Sequence, residues 1–374
     1  MIYLDNSATT KPCKSAVDAV MNMLTENFGN PSSTHFCGVN AFMALDKARI
    51  QVAKALGCEK EELYFTSGGT ASDNTAIFGT VEHLKKRGNR IVTTALEHPA
   101  VSECMRRLEN EGFEIIRLPA DSEGHFTYEE LCQAINAKTI LVSVMAVNNE
   151  LGTINNIKQI RKAVTAAKSP AYIHVDAVQG FGKLNMKPSA MNVDLMSISS
   201  HKVHGPKGAG ALYIRKGLKI TPYLLGGGQE KGIISGTESL PAIVGFGQAC
   251  QELLPVSKSL ERMTALRDNF VDKLRMTEGI FINSPSDALP YIINISVPGI
   301  PSEVMVNFMS KNGICISAGS ACKKGHRSDV LSVIGLPPER IDSAVRISLS
   351  TDNTAEELDI LYEKIKEAMD RFIR

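Results

Sequence analysis

Three polar clusters in this chain carry residue types that could act together chemically. In FTSGGTASDN, Gly68 and Gly69 precede Thr70 where a strand pattern gives way to a helix pattern. Backbone N–H groups and the helix dipole at such a junction bind anions. No GKS or GKT follows, so the loop is not of the Walker type. In HVDAVQ, Asp176 ends an apolar run, where a carboxylate needs a cationic or hydrogen-bonding partner such as a protonated ring nitrogen. In SISSHKVHGPKG, Lys202 follows another apolar run, and an amine in a partly apolar crevice acquires a lowered pKa and nucleophilic character. Singly, each has an ordinary alternative: a capped turn, a helix N-cap or a solvated lysine. Together they supply a phosphate cradle, an acid for a pyridinium nitrogen and an amine for a Schiff base. Those are the requirements of pyridoxal 5'-phosphate.

Further residues fit around these. His98, after another strand pattern, is placed to stack on a ring or move protons. Ser235-Gly236-Thr237, just before a helix with Pro241 in its first turn, offers a second anion site. Arg346 within AVRISLS is an odd charge for a half-buried strand unless it holds a carboxylate. The eight cysteines show no CxxC pair and no zinc-finger spacing, which reads as free thiols. Cys322, in AGSACKKGHR, is the one set among cations, where the thiolate fraction rises.

The elements that must position these residues alternate as βαβ units from about residue 60. Strand patterns cover 62–67, 89–95, 139–147, 171–177, 194–199 and 210–215, and helical patterns 36–56, 71–87, 99–111, 156–168 and 241–254. Polar clusters follow five successive strand patterns, which places them along the carboxyl edge of one open sheet. Beyond residue 257 the texture changes: a charged helix at 258–275, strands at 291–297, 313–318 and 344–350, and a terminal helix at 354–372. This reads as an α/β protein with a large domain over 11–257. A smaller α+β domain over 258–374 is completed by residues 1–10.

With 41 basic and 40 acidic side chains, the chain has no broad basic surface for nucleic acid. No stretch reaches the roughly 20 apolar residues of a membrane helix. MIYLDNSATT lacks the features of a signal peptide, so the expected location is cytoplasmic.

The motifs IYLDNSATT, FGNPSSTH, FTSGGTASDN, EHPAV, NNELGT, HVDAVQ, SISSHKVHGPKGAGALY, GGGQEKG, SGTE, SAGSAC and VRISLS occur in this order. In this they resemble the NifS/IscS-type cysteine desulfurases, within the class V aminotransferase group. The resemblance implies a pyridoxal-phosphate enzyme of fold type I, its large domain built on a mostly parallel seven-stranded sheet. It implies a homodimer with active sites at the interface. Lys202 would then be the Schiff-base lysine, Asp176 the partner of the ring nitrogen, and His98 the stacking and acid–base residue. Gln179 would contact the ring oxygen. Gly69, Thr70, Ser199 and His201 would hold the phosphate, and Thr237 would reach it from the other subunit. Asn149 and Arg346 would bind the substrate carboxylate, and Cys322 would attack the substrate sulfur. The implied reaction turns L-cysteine into L-alanine and a persulfide on Cys322. The sulfur then passes to an acceptor such as an iron–sulfur scaffold or a thiolation enzyme for tRNA or cofactors. No metal is expected. Selenocysteine lyase, another class V reaction, or a weakly catalytic sulfur-relay partner are the alternatives. Ile234 stands where the family has arginine, and the segment after Cys322 is shorter and more basic than usual.

Overall fold

Apolar runs become strands wherever both faces of a sheet can be covered. The computed structural model describes residues 1–318 and 327–373. After a short strand β1 (Ile2–Tyr3), the large sheet takes β2 (Leu63–Thr66), β3 (Arg90–Thr94), β4 (Glu114–Leu118), β5 (Thr139–Met145), β6 (Tyr172–Asp176), β7 (Leu195–Ser199) and β8 (Gly210–Ile214). Its seven strands lie in the order β2-β8-β7-β6-β5-β3-β4. Five neighbouring strands run parallel, while β8 runs antiparallel to both β2 and β7. The seven-stranded, mostly parallel α/β sheet expected from the sequence is therefore present. Every residue of β5 is buried, as expected of a parallel strand covered on both faces.

The reversal of β8 brings its first residue, Gly210, opposite Thr66 and Ser199 at the carboxyl edge. A Cβ at Gly210 would lie 2.7 Å from the Cα of Gly68, so only glycine lets the phosphate-type loop approach this edge. The strand β4 is absent from the sequence reading. It lies at the sheet edge and is mostly part-exposed, and the charged Glu114 and Arg117 on either side of Ile115 and Ile116 keep the apolar run short. The helix Phe36–Leu56 ends where its pattern says, on Gly57 with φ of 79°. The helix Lys14–Thr25 has no counterpart among the helical patterns of the sequence; of its residues only Ala16 and Met23 are buried.

The C-terminal strands are β9 (Phe281–Ile282), β10 (Ile292–Ser296), β11 (Ile314–Cys315), β12 (Ser317–Ala318) and β13 (Ala344–Ser348). Antiparallel pairing gives a sheet in the order β12-β13-β10-β9, and β1 pairs in parallel with β11. The single run read over 313–318 is thus split between two sheets at Ile316. Beyond β1 the chain bridges Asp5 to Ser348, and Thr10 N–H then donates to His201 O at 2.8 Å. The segment Asp5–Thr10 therefore ties the small sheet to the end of β7. None of the helices among the described residues is long and apolar enough to cross a membrane.

Candidate active site

A cavity of about 390 Å³ opens at the carboxyl edge of the large sheet. Gly69, Thr70, His98, Asn149, Asp176, Gln179, Ser199, His201, Lys202 and Arg346 all line it. Residues scattered over 278 positions of sequence thus meet in one place. Thr237 does not line it; it lies exposed in the loop before the helix Leu240–Glu252. Cys322 and its neighbours 319–326 lie outside the described residues.

The floor is made by strand ends. Lys202 closes a single 3-10 turn, Ser200–Lys202, directly after β7. Its Nζ donates to the carbonyl of Ser7, and to that of Ala8 at 3.0 Å. Asp176, the last residue of β6, is buried, and its Oδ1 accepts from Val178 N–H at 2.9 Å. Burial pushes its carboxyl up, an effect opposed by the Val178 hydrogen bond and by His98 and Lys202. His98 caps the helix Pro99–Asn110 by accepting from Ala100 N–H at Nδ1, 3.1 Å away. That bond assigns the proton of the neutral ring to Nε2. Burial holds the imidazole below its ordinary pKa, with Asp176 opposing and Lys202 reinforcing the shift. A neutral His98 is therefore the resting form at pH 7.

One wall is an anion cradle. The helix Gly69–Leu84 begins on Gly68, whose φ of 149° requires glycine. Its first-turn N–H groups have no partner within the helix. A Cβ on Gly69 would stand 2.7 Å from Cγ2 of Val178 and 3.6 Å from the Cβ of Ser199, so this loop is packed against the strand end. The buried Oγ of Ser199 has no hydrogen-bond partner among the described residues. A buried hydroxyl left without a partner is costly, and a phosphate at the helix terminus would satisfy it. His201 joins this wall with Nδ1 at 3.3 Å from Thr9 Oγ1, its pKa pulled down to about 4 mainly by burial. The residues present fit a phosphorylated ring compound: anion donors on one side, an acid and an amine on the other.

The opposite wall comes from the small sheet. Arg346 in β13 is buried, with its side chain 4% exposed, and not on the solvent face. Nη2 meets Asp5 Oδ1 at 3.0 Å, Nη1 donates to the carbonyl of Asn149 at 2.9 Å, and the buried Nε has no partner among the described residues. Asn149 thus contacts the arginine through its backbone. The buried carboxyls of Asp73, Glu97 and Glu150 also face the cavity. Glu97 accepts from Thr94 Oγ1 at 2.7 Å and from Met145 N–H at 3.0 Å, and burial pushes it up to about 8. Glu150 accepts from Ser328 Oγ at 2.6 Å and is raised to about 7, again mainly by burial.

The sequence reading missed the N-terminal contribution. Ser7 and Ala8 hold Lys202, and Asp5 holds Arg346. The run DNSATT carries small polar residues straight after an apolar pair, which is the only local hint.

Residues 2–361 match the family model for class-V aminotransferases. The chain belongs to that family. Relatives run the full length. It is 41% identical to a cysteine desulfurase IscS of Methanosarcina thermophila over 374 residues, covering 99% of this chain and 92% of that protein. It is 42% identical to a NifS/IcsS homologue of Lactobacillus delbrueckii subsp. bulgaricus, covering 100% and 98%. Among solved structures, a NifS-like protein superimposes with a TM-score of 0.93 at 38% identity over 99% of both chains. SspA, solved in complex with cysteine, gives 0.83 at 31% identity over 93% of this chain and 99% of that one. Like the class-V aminotransferases it belongs with, the chain is a pyridoxal-phosphate enzyme, and its full-length relatives make it a cysteine desulfurase.

Proposed function

We propose that this enzyme removes sulfur from L-cysteine in the cavity above Lys202 and carries it as a persulfide on Cys322. The observation that supports this most is the grouping of Lys202, Asp176, His98 and the Ser199 cradle around one cavity, with the buried Arg346 opposite. Lys202 would hold the cofactor covalently and Asp176 its ring nitrogen. Gln179 would hold the ring oxygen, and Gly69, Thr70, Ser199 and His201 the phosphate. When bound, pyridoxal phosphate supplies an electron sink next to the substrate α-carbon.

The chain's own groups do the rest. Arg346 orients the substrate by its carboxylate, with Asp5 and the Asn149 carbonyl keeping the guanidinium in place. Neutral His98 and the amine of Lys202 take and return protons within the cavity. The thiolate of Cys322 attacks the substrate sulfur; an S–S bond forms as the C–S bond breaks, and alanine leaves. The persulfide then passes to a sulfur-acceptor protein, for iron–sulfur cluster assembly or thiolation.

A homodimer suits two features. Thr237 is exposed and away from its own chain's cavity. The helices Lys14–Thr25 and Phe36–Leu56 expose Met21, Leu24, Phe36, Phe42 and Met43, a large apolar surface for an isolated chain. The seven described cysteines are free thiols, which suits a reducing cytoplasm.

The test is a single turnover with L-cysteine and no reductant, followed by peptide mass analysis. The peptide holding Cys322 should gain one sulfur atom, and Cys322→Ser should keep the cofactor's absorption while losing alanine formation. Full activity of that variant would refute the assignment of Cys322. Faster turnover of selenocysteine than of cysteine, without a persulfide, would favour the lyase reading.

A further inference from the structure

We propose that Lys183 is a positioning residue for the cofactor pocket, acting through the side-chain amide of Gln179. Lys183 is buried within the turn that follows β6, and its Nζ donates to Gln179 Oε1 at 3.4 Å. The Nε2 of the same amide donates to the carbonyl of Ser7 at 3.0 Å. That carbonyl also accepts from Lys202. The oxygen end of the amide thus meets an amine that offers hydrogens, and the nitrogen end meets a carbonyl that can only accept. A reversed amide would set oxygen against oxygen at Ser7. Gln179 is therefore locked with its donating end on the cavity side.

The two partners differ in permanence. Ser7 O is shared with Lys202, whose amine is the group that would bond the cofactor, so its hydrogen bonding changes with loading. Lys183 lies behind Gln179 and keeps the same contact. It faces a second cavity of about 300 Å³ that Lys202 also lines, together with Cys13, His204, Glu252, Tyr291 and Asp352. Nζ stands 5.6 Å from the Tyr291 ring centroid. Burial, with Lys202 and Arg346 adding to it, pulls the amine down to about 7. The amine keeps hydrogens to donate in either protonation state, so the lock persists across the neutral range.

The inference rests on the proposed place of Gln179 beside the cofactor ring. The test compares Lys183→Met, Gln179→Ala and the double variant with the wild type. Apo-proteins are titrated with pyridoxal phosphate, and the visible absorption of each loaded protein is followed against pH. Lys183→Met should weaken cofactor binding about tenfold, the scale of one hydrogen bond. It should also move the absorption midpoint upward, because a ring oxygen that loses its donor holds the neighbouring proton more tightly. Lys183→Arg should restore both. In the Gln179→Ala background, Lys183→Met should add nothing further. Equal losses in both backgrounds would mean that Lys183 only supports the fold, and would overturn the inference. A Gln179→Ala protein with unaltered absorption would refute the placement of Gln179 itself. Should Lys183→Met not accumulate folded, Lys183→Leu, which also lacks a donor, is read in the same way.

Discussion

His174 and Asp176 lie two residues apart on β6, on the same face of the sheet and both buried, yet they have opposite fates. His174 is closed in. Its Nδ1 and Nε2 each sit 2.9 Å from a serine hydroxyl, of Ser143 and Ser197, on the neighbouring strands. Burial pulls its pKa down to about 3, so it is neutral and its 3.5 Å contact with Asp73 is not an ion pair. Asp176 stands where the strand ends and opens onto the cavity. A polar group whose partners are all supplied by the fold stabilises the fold; one that faces a cavity is available to a ligand. Sequence position alone does not separate the two.

The sharpest way to break this comparison is Asp176→Ala, which should cut turnover by roughly 10²–10³-fold while leaving the melting temperature unchanged or slightly higher. Steady-state kinetics with a thermal melt reads both, and an active variant would erase the distinction. His174→Ala should do the reverse. Taking a partner away from two buried serine hydroxyls costs about 1–3 kcal/mol, so the melt falls while turnover per folded molecule is little changed. Arg346→Ala removes a charge-assisted contact and should raise KM for cysteine roughly tenfold to a hundredfold with a smaller change in kcat. Equal losses in kcat and KM would place Arg346 elsewhere in the reaction.

Glu97 tests the comparison through pH. Its carboxyl is raised from 4.5 to about 8, so the folded state binds the proton more tightly than the unfolded chain. The sign follows: this contribution is full below about pH 4.5 and is lost as pH rises towards 8. Denaturant titrations of Glu97→Gln across that range should therefore show a flatter dependence of stability on pH than the wild type. A parallel dependence would mean that Glu97 is not the group responsible.

Much of the site was legible because parallel strands concentrate function at their carboxyl ends, and apolar runs announce where those ends fall. Ser199, Lys202, Asp176 and His98 follow such runs directly. Helix Phe36–Leu56 was legible from its pattern and from Gly57. Strand β4 was not, because an edge strand needs no continuous apolar run. Nor were Asp5, Ser7 and Ala8, whose roles come from a crossing of sheets that no local spacing encodes. The partner of Arg346 depends on the same crossing. The isolated reading of that arginine as a solvent-facing strand residue loses only once β13 is seen paired on both sides, with β10 and β12.

Two lysines, the buried Lys183 and the half-buried Lys202, line the space behind the cavity, and the covalent role is proposed for Lys202 alone. Reducing the loaded enzyme with borohydride fixes the cofactor to the lysine that holds it, and peptide mass analysis then names the residue. The cofactor should be found on Lys202 alone. Finding it on Lys183, or on neither, would contradict the site described here.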